Sequence, residues 1–264
     1  MTLLVTGGTG YLGSELVRLS GAAHPRLELL DAAEVRRGFE AVRPSAVIHT
    51  AYRQDEPAVN SQGSAAVAVA AATVGARLVH ISTDVVFDGT KPEPYTEEDE
   101  PNPLDDYGRS KLEAERRVLE LHPDALVVRT SLLVGRREPG RAEQAVLDAA
   151  RGEGEIVFFE DEWRSPVLVS ELAAGLLELV ETDARGILHL AGAEPMNRYE
   201  LACQVAAAHG LPTMRLRRGS FAESGLVRPA NCVLDSSRAA SFVSRVPPGV
   251  RDRIGSTWTT GSGG

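Results

Sequence analysis

Lysine is almost missing from this chain: of its 28 basic residues only Lys91 and Lys111 are lysine, and the rest are arginine. Those arginines are scattered among 37 acidic residues and the net charge is −9, so no basic patch forms and a nucleic-acid surface is excluded. Cysteine is equally scarce. Cys203 and Cys232 lack metal-ligand spacing and imply no disulfide framework, which leaves two idle thiols in a reducing compartment. No apolar run reaches the ~18 residues of a membrane span. The opening "TLLVTGG" reads as a strand, not as a charged segment ahead of an apolar signal core. No histidine pair has helical spacing suited to a metal, and no carboxylate cluster suggests one. A cytoplasmic protein with no membrane segment and no metal is the expectation.

Short runs rich in Val, Ile and Leu alternate with helical patterns, the mark of a parallel sheet covered on both faces. The pattern predicts strands at Leu3–Thr6, Leu27–Leu30, Ala46–Thr50, Arg77–Ser82, Leu126–Thr130, Ile156–Phe159 and Ile187–Leu190. It predicts helices at Leu12–Leu19, Glu34–Val42, Ser61–Val74, Tyr107–Leu121, Ala142–Arg151 and Ser170–Glu181. The aperiodic, Pro- and acid-rich "FDGTKPEPYTEEDEPNPLDD" reads as a long loop of the kind that often forms a functional lid. Beyond Gly192 the alternation weakens into a smaller, partly helical lobe, and "GSTWTTGSGG" reads as a frayed end.

In "LLVTGGTGYLGSEL" Gly7, Gly10 and Gly13 fall three apart, directly after a strand and opening a helix. Glycine there permits a tight turn, close approach of a pyrophosphate and tight helix packing, while the helix N-terminus offers free N–H groups. Asp31 follows the "LELL" run near the distance where an acid meets the adenosine ribose; an ordinary helix N-cap is the alternative. About thirty residues separate the first glycines from the Ala46 strand, so one strand-helix unit is shortened or missing. "VHISTDVVFDG" puts Ser82, Thr83 and Asp84 at a strand's carboxyl end, where ligands bind in open parallel sheets. His49 and His80, inside apolar strands, read as packed and hydrogen-bonded rather than catalytic.

Tyr107 and Lys111 stand four apart on a predicted helix and project from one face. With five tyrosines and two lysines in 264 residues, this spacing is expected by chance only ~0.04 times. A nearby ammonium favours phenolate and brings a tyrosine pKa toward the working pH. Thr83 would hold a substrate carbonyl while Tyr107 delivers a proton to its oxygen, the hydride coming from a nicotinamide. Arginine, bulkier and planar, cannot replace a compact point charge at Lys111.

Together these residues resemble the extended short-chain dehydrogenase/reductases, within them the dTDP-4-dehydrorhamnose reductases and their sugar-nucleotide-binding relatives. The resemblance runs through "TGGTGYLGSEL", "RPSAVIHTA", "GARLVHISTDVVFDG", "YGRSKLEAE", "VVRTSLLVG", "DEWRSPVLVSELA", "GILHLAG" and "NRYELA". It implies a catalytic trio of Thr83, Tyr107 and Lys111. It also implies cofactor contacts at Gly7, Gly10, Tyr11, Leu12, Gly13, Asp31, Ala51, Tyr52 and Ser82, with Lys111 on the nicotinamide ribose. The family pattern places Asp31 beside adenine. Substrate contacts are implied at Thr83, Asp84, Leu132 and Arg164. Related dehydratases carry a glutamate where this chain has Val85, which favours simple reduction. The family's "RTSW" reads "RTSL" here, so Leu132 replaces an aromatic wall, and Ser165-Pro166-Val167 departs from the usual Pro-Thr.

The expected fold is α/β: a Rossmann-type doubly wound parallel sheet with a small C-terminal substrate-binding lobe. Residues 1–134 and 168–192 would bind the dinucleotide, and 135–167 with 193–264 would form the lobe. The expected activity is reduction, with NADPH or NADH, of a carbonyl on a nucleotide-linked keto-deoxysugar or related small ketone, by a chain that could pair as a homodimer. Two other readings stay open. One is a nucleotide-sugar epimerase or dehydrogenase with bound NAD; the other is a non-catalytic NAD(P)-binding regulatory subunit.

Overall fold

The computed structural model describes residues 1–135 and 138–255. In chain order, β1 (Leu3–Thr6) leads into α1 (Tyr11–Ser20), and α2 (Ala32–Val42) precedes β2 (Ala46–His49). A π-helical turn, Val59–Gly63, runs straight into α3 (Ser64–Val74). Then come β3 (Arg77–Thr83), α4 (Asp106–Leu121), β4 (Leu126–Thr130), β5 (Leu133–Val134), α5 (Arg141–Arg151) and β6 (Val157–Phe159). The remainder is β7 (Trp163–Arg164), β8 (Val167–Leu168), α6 (Val169–Leu179), β9 (Gly186–His189), β10 (Met196–Asn197), α7 (Arg198–Ala208) and β11 (Arg217–Gly219).

Five parallel strands form the central sheet in the order β1-β2-β3-β4-β9. Both faces are covered, as the continuous apolar strands require. On one face Leu12 and Leu16 of α1 and Leu172 and Leu176 of α6 pack on Val5, Ile48, Val128 and Leu188. On the other, Phe39, Val67 and Val118 from α2, α3 and α4 pack on Leu4, Val47, Leu78 and Val127. The fold is the expected Rossmann-like α/β sheet.

The expected strand Leu27–Leu30 does not form. Only Ala23 pairs with β1, its carbonyl accepting from Val5 N–H and its N–H donating to Leu3. Pro25, two residues on, has no N–H to continue the ladder. Leu27 and Leu29 turn instead onto α2 and α3, in the space left by Gly38 and Gly63. The shortened unit foreseen from the spacing is this one, and β1 becomes nearly an edge strand. The expected strand at Ile156–Phe159 forms as β6 and pairs with β11, outside the central sheet.

A second core joins α5, α7 and β6 through Val146, Leu147, Phe158, Leu201 and Val205, reaching Val134 and Leu168. Ala239 and Val243, expected in the lobe, pack into the core of the central sheet instead. The loop expected to be a lid is anchored. Tyr95 is buried, stacks on Phe87 with centroids 4.1 Å apart, and exchanges backbone hydrogen bonds with Val233 and Asp235. Lys91 ties the same loop to Asp99 at 2.7 Å. Beyond Gly255, the end expected to fray lies outside the described residues. No helix among the described residues is long and apolar enough to cross a membrane, and no described group of His, Cys, Asp or Glu is arranged to hold a metal.

Candidate active site

One cleft of about 1050 Å³ runs along the carboxyl ends of the strands. It is lined by fourteen of the fifteen expected site residues: Gly7, Gly10, Tyr11, Leu12, Gly13, Ala51, Tyr52, Ser82, Thr83, Asp84, Tyr107, Lys111, Leu132 and Arg164. Asp31 is the exception. It does not line the cleft; its Oδ1 caps α2, accepting from the N–H groups of Ala33 and Glu34, as in the capping alternative.

The glycine turn is built for close approach. Gly7 has φ of +72°, and a Cβ on Gly13 would lie 2.1 Å from the Gly7 carbonyl oxygen. Helix α1 has neither a side-chain N-cap nor an acid in its first turn. The start of that helix, from Gly10 to Gly13, lines the cleft, and a helix N-terminus so placed suits a pyrophosphate. Gly10 is different from Gly13, since its Cβ would meet nothing nearer than Gly7 oxygen at 3.2 Å. Gly10→Val is thus expected to fold yet fill the phosphate cradle, weakening NAD(P)H binding roughly 100-fold. Calorimetric titration of the folded variant checks this, and undiminished affinity would remove the dinucleotide from this turn.

Thr83 ends β3, and Tyr107 and Lys111 rise from the first turns of α4. Asp105 caps that helix through Gly108 N–H at 2.7 Å, and the missing side chain of Gly108 lets the turn lie against the Val85 carbonyl. Thr83 donates to Asp84 Oδ1 at 3.1 Å, and Ser131 donates to Asp84 Oδ2 at 2.5 Å. Asp84 is buried, which pushes its carboxyl pKa up, while Arg164, Ser131 and Thr83 pull it back. Its place is beneath Thr83 as a support.

The expected depression of the Tyr107 pKa is not found. Burial raises it, the nearby Tyr52 and Asp84 raise it further, and a hydrogen bond from Thr83 lowers it only in part. The protein scaffold thus holds Tyr107 as a neutral phenol, the form that donates a proton. Lys111 lies at the floor, 3% exposed, and donates to the Ile81 carbonyl at 2.6 Å. Burial lowers its pKa to about 8, with Glu115 opposing the shift.

Behind Lys111 a polar stripe crosses the whole sheet. Paired positions run Thr6–His49, His49–His80, Ser82–Arg129 and Arg129–His189. His49 bonds Thr6 at 2.5 Å and Ser64 at 2.9 Å, as expected of a packed histidine. His80 does not follow that expectation: it is fully buried and neither ring nitrogen has a partner among the described residues. Burial holds both imidazoles neutral, with pKa values pushed well down. The Ser82 hydroxyl, expected to face cofactor, is spent on Glu115 at 2.5 Å.

Arg164 is also spent. It is 5% exposed and donates to the carbonyls of Trp163, Ala230 and Pro229 and to Glu162, with Asp84 3.8 Å from its Nε. These contacts engage both of its terminal NH2 groups and leave only Nε–H without a hydrogen bond among the described residues. The exposed Arg141 also lines the cleft, as do Arg198 and Arg228, which are 26% and 40% exposed and gather around Glu162. Arg228 bonds the buried Glu162 at 2.5 Å and lies 5.1 Å over the Phe159 ring. Sequence reasoning missed these arginines as site residues. "NRYELA" carried a signal for Arg198; the aperiodic stretch around Arg228 carried none.

The family model for the RmlD substrate binding domain matches residues 1–260. The chain belongs to this family. Methionine adenosyltransferase 2 subunit beta of Xenopus tropicalis is 36% identical over 89% of this chain and 80% of its own length. A dTDP-4-keto-6-deoxy-D-glucose reductase of Streptomyces niveus is 33% identical over 81% of each. Among solved structures, dTDP-4-dehydrorhamnose reductase of Bacillus anthracis in complex with NADP superposes with a TM-score of 0.86 at 26% identity. That match covers 98% of this chain and 99% of the other.

Proposed function

We propose that this member of the RmlD family is an NAD(P)H-dependent reductase of a carbonyl on a nucleotide-linked keto-deoxysugar. The carrying observation is that the glycine turn and the Thr83, Tyr107 and Lys111 side chains line one cleft. Relatives named for reduction of dTDP-linked keto sugars, one bound to NADP, support the same chemistry. Bound NAD(P)H supplies the hydride. The Thr83 hydroxyl would turn from Asp84 to donate to the carbonyl oxygen, and the Tyr107 hydroxyl gives that oxygen its proton. Lys111, as an ammonium, steadies the negative charge left on Tyr107 and offers a donor to the ribose. Incubation with dTDP-4-keto-6-deoxysugars and either reduced cofactor tests the proposal: oxidation of the cofactor matched by an alcohol product is expected. A cytoplasmic location and a homodimer belong to the same reading; sedimentation would test the latter.

Arg198 and Arg228, in place of Arg164, would receive the substrate diphosphate. Arg228→Ala is expected to raise the substrate KM about tenfold or more while leaving cofactor affinity unchanged. Arg164→Ala is expected instead to lower stability, since it removes the cation beside buried Asp84 and one of the arginines gathered on buried Glu162. Equal KM values for Arg228→Ala and the wild type would place the diphosphate elsewhere.

A regulatory reading is favoured by the identity to methionine adenosyltransferase 2 subunit beta. It predicts a stable complex with a partner enzyme and no turnover on any keto sugar. The retained Tyr107 and Lys111 favour the reductase.

A further inference from the structure

Lys111 and Glu115 stand one helical turn apart on α4 and grip consecutive residues of β3. Lys111 Nζ donates to the Ile81 carbonyl at 2.6 Å, and Glu115 Oε1 accepts from Ser82 Oγ at 2.5 Å. The next residue along β3 is Thr83. Glu115 is 1% exposed and also receives Arg129 through Nε at 3.0 Å and NH2 at 2.7 Å. The charged and titratable groups facing this floor come from every element around it: His49 of β2, His80 of β3, Arg129 of β4, and Tyr107 and Glu115 of α4 itself. Both imidazoles are held neutral by burial and Tyr107 is held as phenol. Buried Asp84, which acts on Tyr107, is tied to Ser131 and lies beside Arg164; the anion that acts on Lys111 is Glu115, set against two buried cations, Lys111 and Arg129.

We infer that Glu115 is a positioning residue for the reductase chemistry: its buried carboxylate keeps Lys111 an ammonium and fixes α4 against the strand end that carries Thr83. The inference rests on the proposed reductase reading for its link to turnover, but not for its electrostatics. Desolvation pushes the Lys111 amine toward neutrality, to about 8, and Glu115 is the opposing influence. An ammonium lost at working pH would leave Tyr107 to ionise, after proton donation, beside an uncharged amine.

The two-lysine composition makes a direct test simple. With isotope-labelled lysine Cε the spectrum holds two side-chain signals, and Lys91→Arg assigns them. The Lys111 signal is expected to titrate near 8 in the wild-type chain. In Glu115→Gln it should move to lower pH by about one unit or more, roughly a tenfold change in protonation. Glu115→Asp retains a counter-charge for Arg129 and so protects the fold, but withdraws the carboxylate by one methylene; its shift should be in the same direction and smaller. The alkaline limb of kcat/KM should move with the resonance, which a merely structural role would not cause. A Lys111 signal that titrates at the wild-type pH in either folded variant overturns the inference. Absence of wild-type turnover on keto sugars bears on the reductase reading alone, because the resonance reports the charge without it.

Discussion

Tyr107→Phe is expected to lower kcat for carbonyl reduction by roughly 10²–10⁴-fold, the usual worth of a positioned general acid. The ring is kept, so its tilted contact with Tyr52, centroids 5.9 Å apart, survives and cofactor affinity should not change. Burial and its neighbours hold Tyr107 as a phenol, so the deficit should persist across neutral pH instead of being recovered at one end. Lys111→Met should cripple turnover too, and should in addition weaken cofactor binding, because the buried ammonium is lost from the cleft floor. The double variant should be little worse than the poorer single one, since residues that act as a unit are not additive. Steady-state kinetics with separately measured cofactor affinity decides the matter. Turnover of Tyr107→Phe near the wild-type rate would make the pair structural and end the reductase reading.

The second large effect concerns stability. Arg129→Met leaves the Glu115 carboxylate buried with only Ser82 and the neighbouring Lys111 to answer it. Arg129 is 1% exposed, makes two-pronged contact with Glu115 and lies 5.0 Å over the Phe87 ring, so the methionine also vacates packed space. Breaking one side of such a buried pair costs about 3–5 kcal/mol. For a chain of this size that is a Tm drop of roughly 10 °C. Adding Glu115→Gln to Arg129→Met should restore part of the loss, because the uncompensated charge is gone. Thermal denaturation of the three variants measures it. A drop of under about 2 °C for Arg129→Met would mean that the carboxylate finds water or another partner.

The glycine turn, the five parallel strands and the Tyr107–Lys111 spacing were legible because each is a local pattern with a local cause. Leu27–Leu30 was not, although its composition is strand-like. Whether an edge run pairs depends on a neighbour's free N–H groups, and Pro25 and the packing demand beneath Gly38 and Gly63 decide against it. Asp31 illustrates a different limit: the same carboxylate suits a ribose or a helix cap, sequence spacing serves both equally, and its two short contacts are those of the cap. Arg164 was assigned to substrate by position, but its donors are consumed by carbonyls more than sixty residues away at Pro229 and Ala230. Arg228 was invisible for the matching reason, since a long-range contact with Glu162, not a motif, brings it to the cleft.

The polar stripe has a consequence for how the chain reaches this state. Aliphatic strands such as "AVIH" and "LVVRT" would otherwise tolerate sliding past one another by two residues, because that keeps every side chain on its own face. With Arg129 level with Ser82, and His189 level with Arg129, a slide of β4 carries a guanidinium out of Glu115's reach and into aliphatic surroundings. Misaligned sheets therefore each strand a charge, and only one alignment neutralises it. The residues that furnish the floor of the cleft thereby also act as a proofreading device for the assembly of the sheet beneath it.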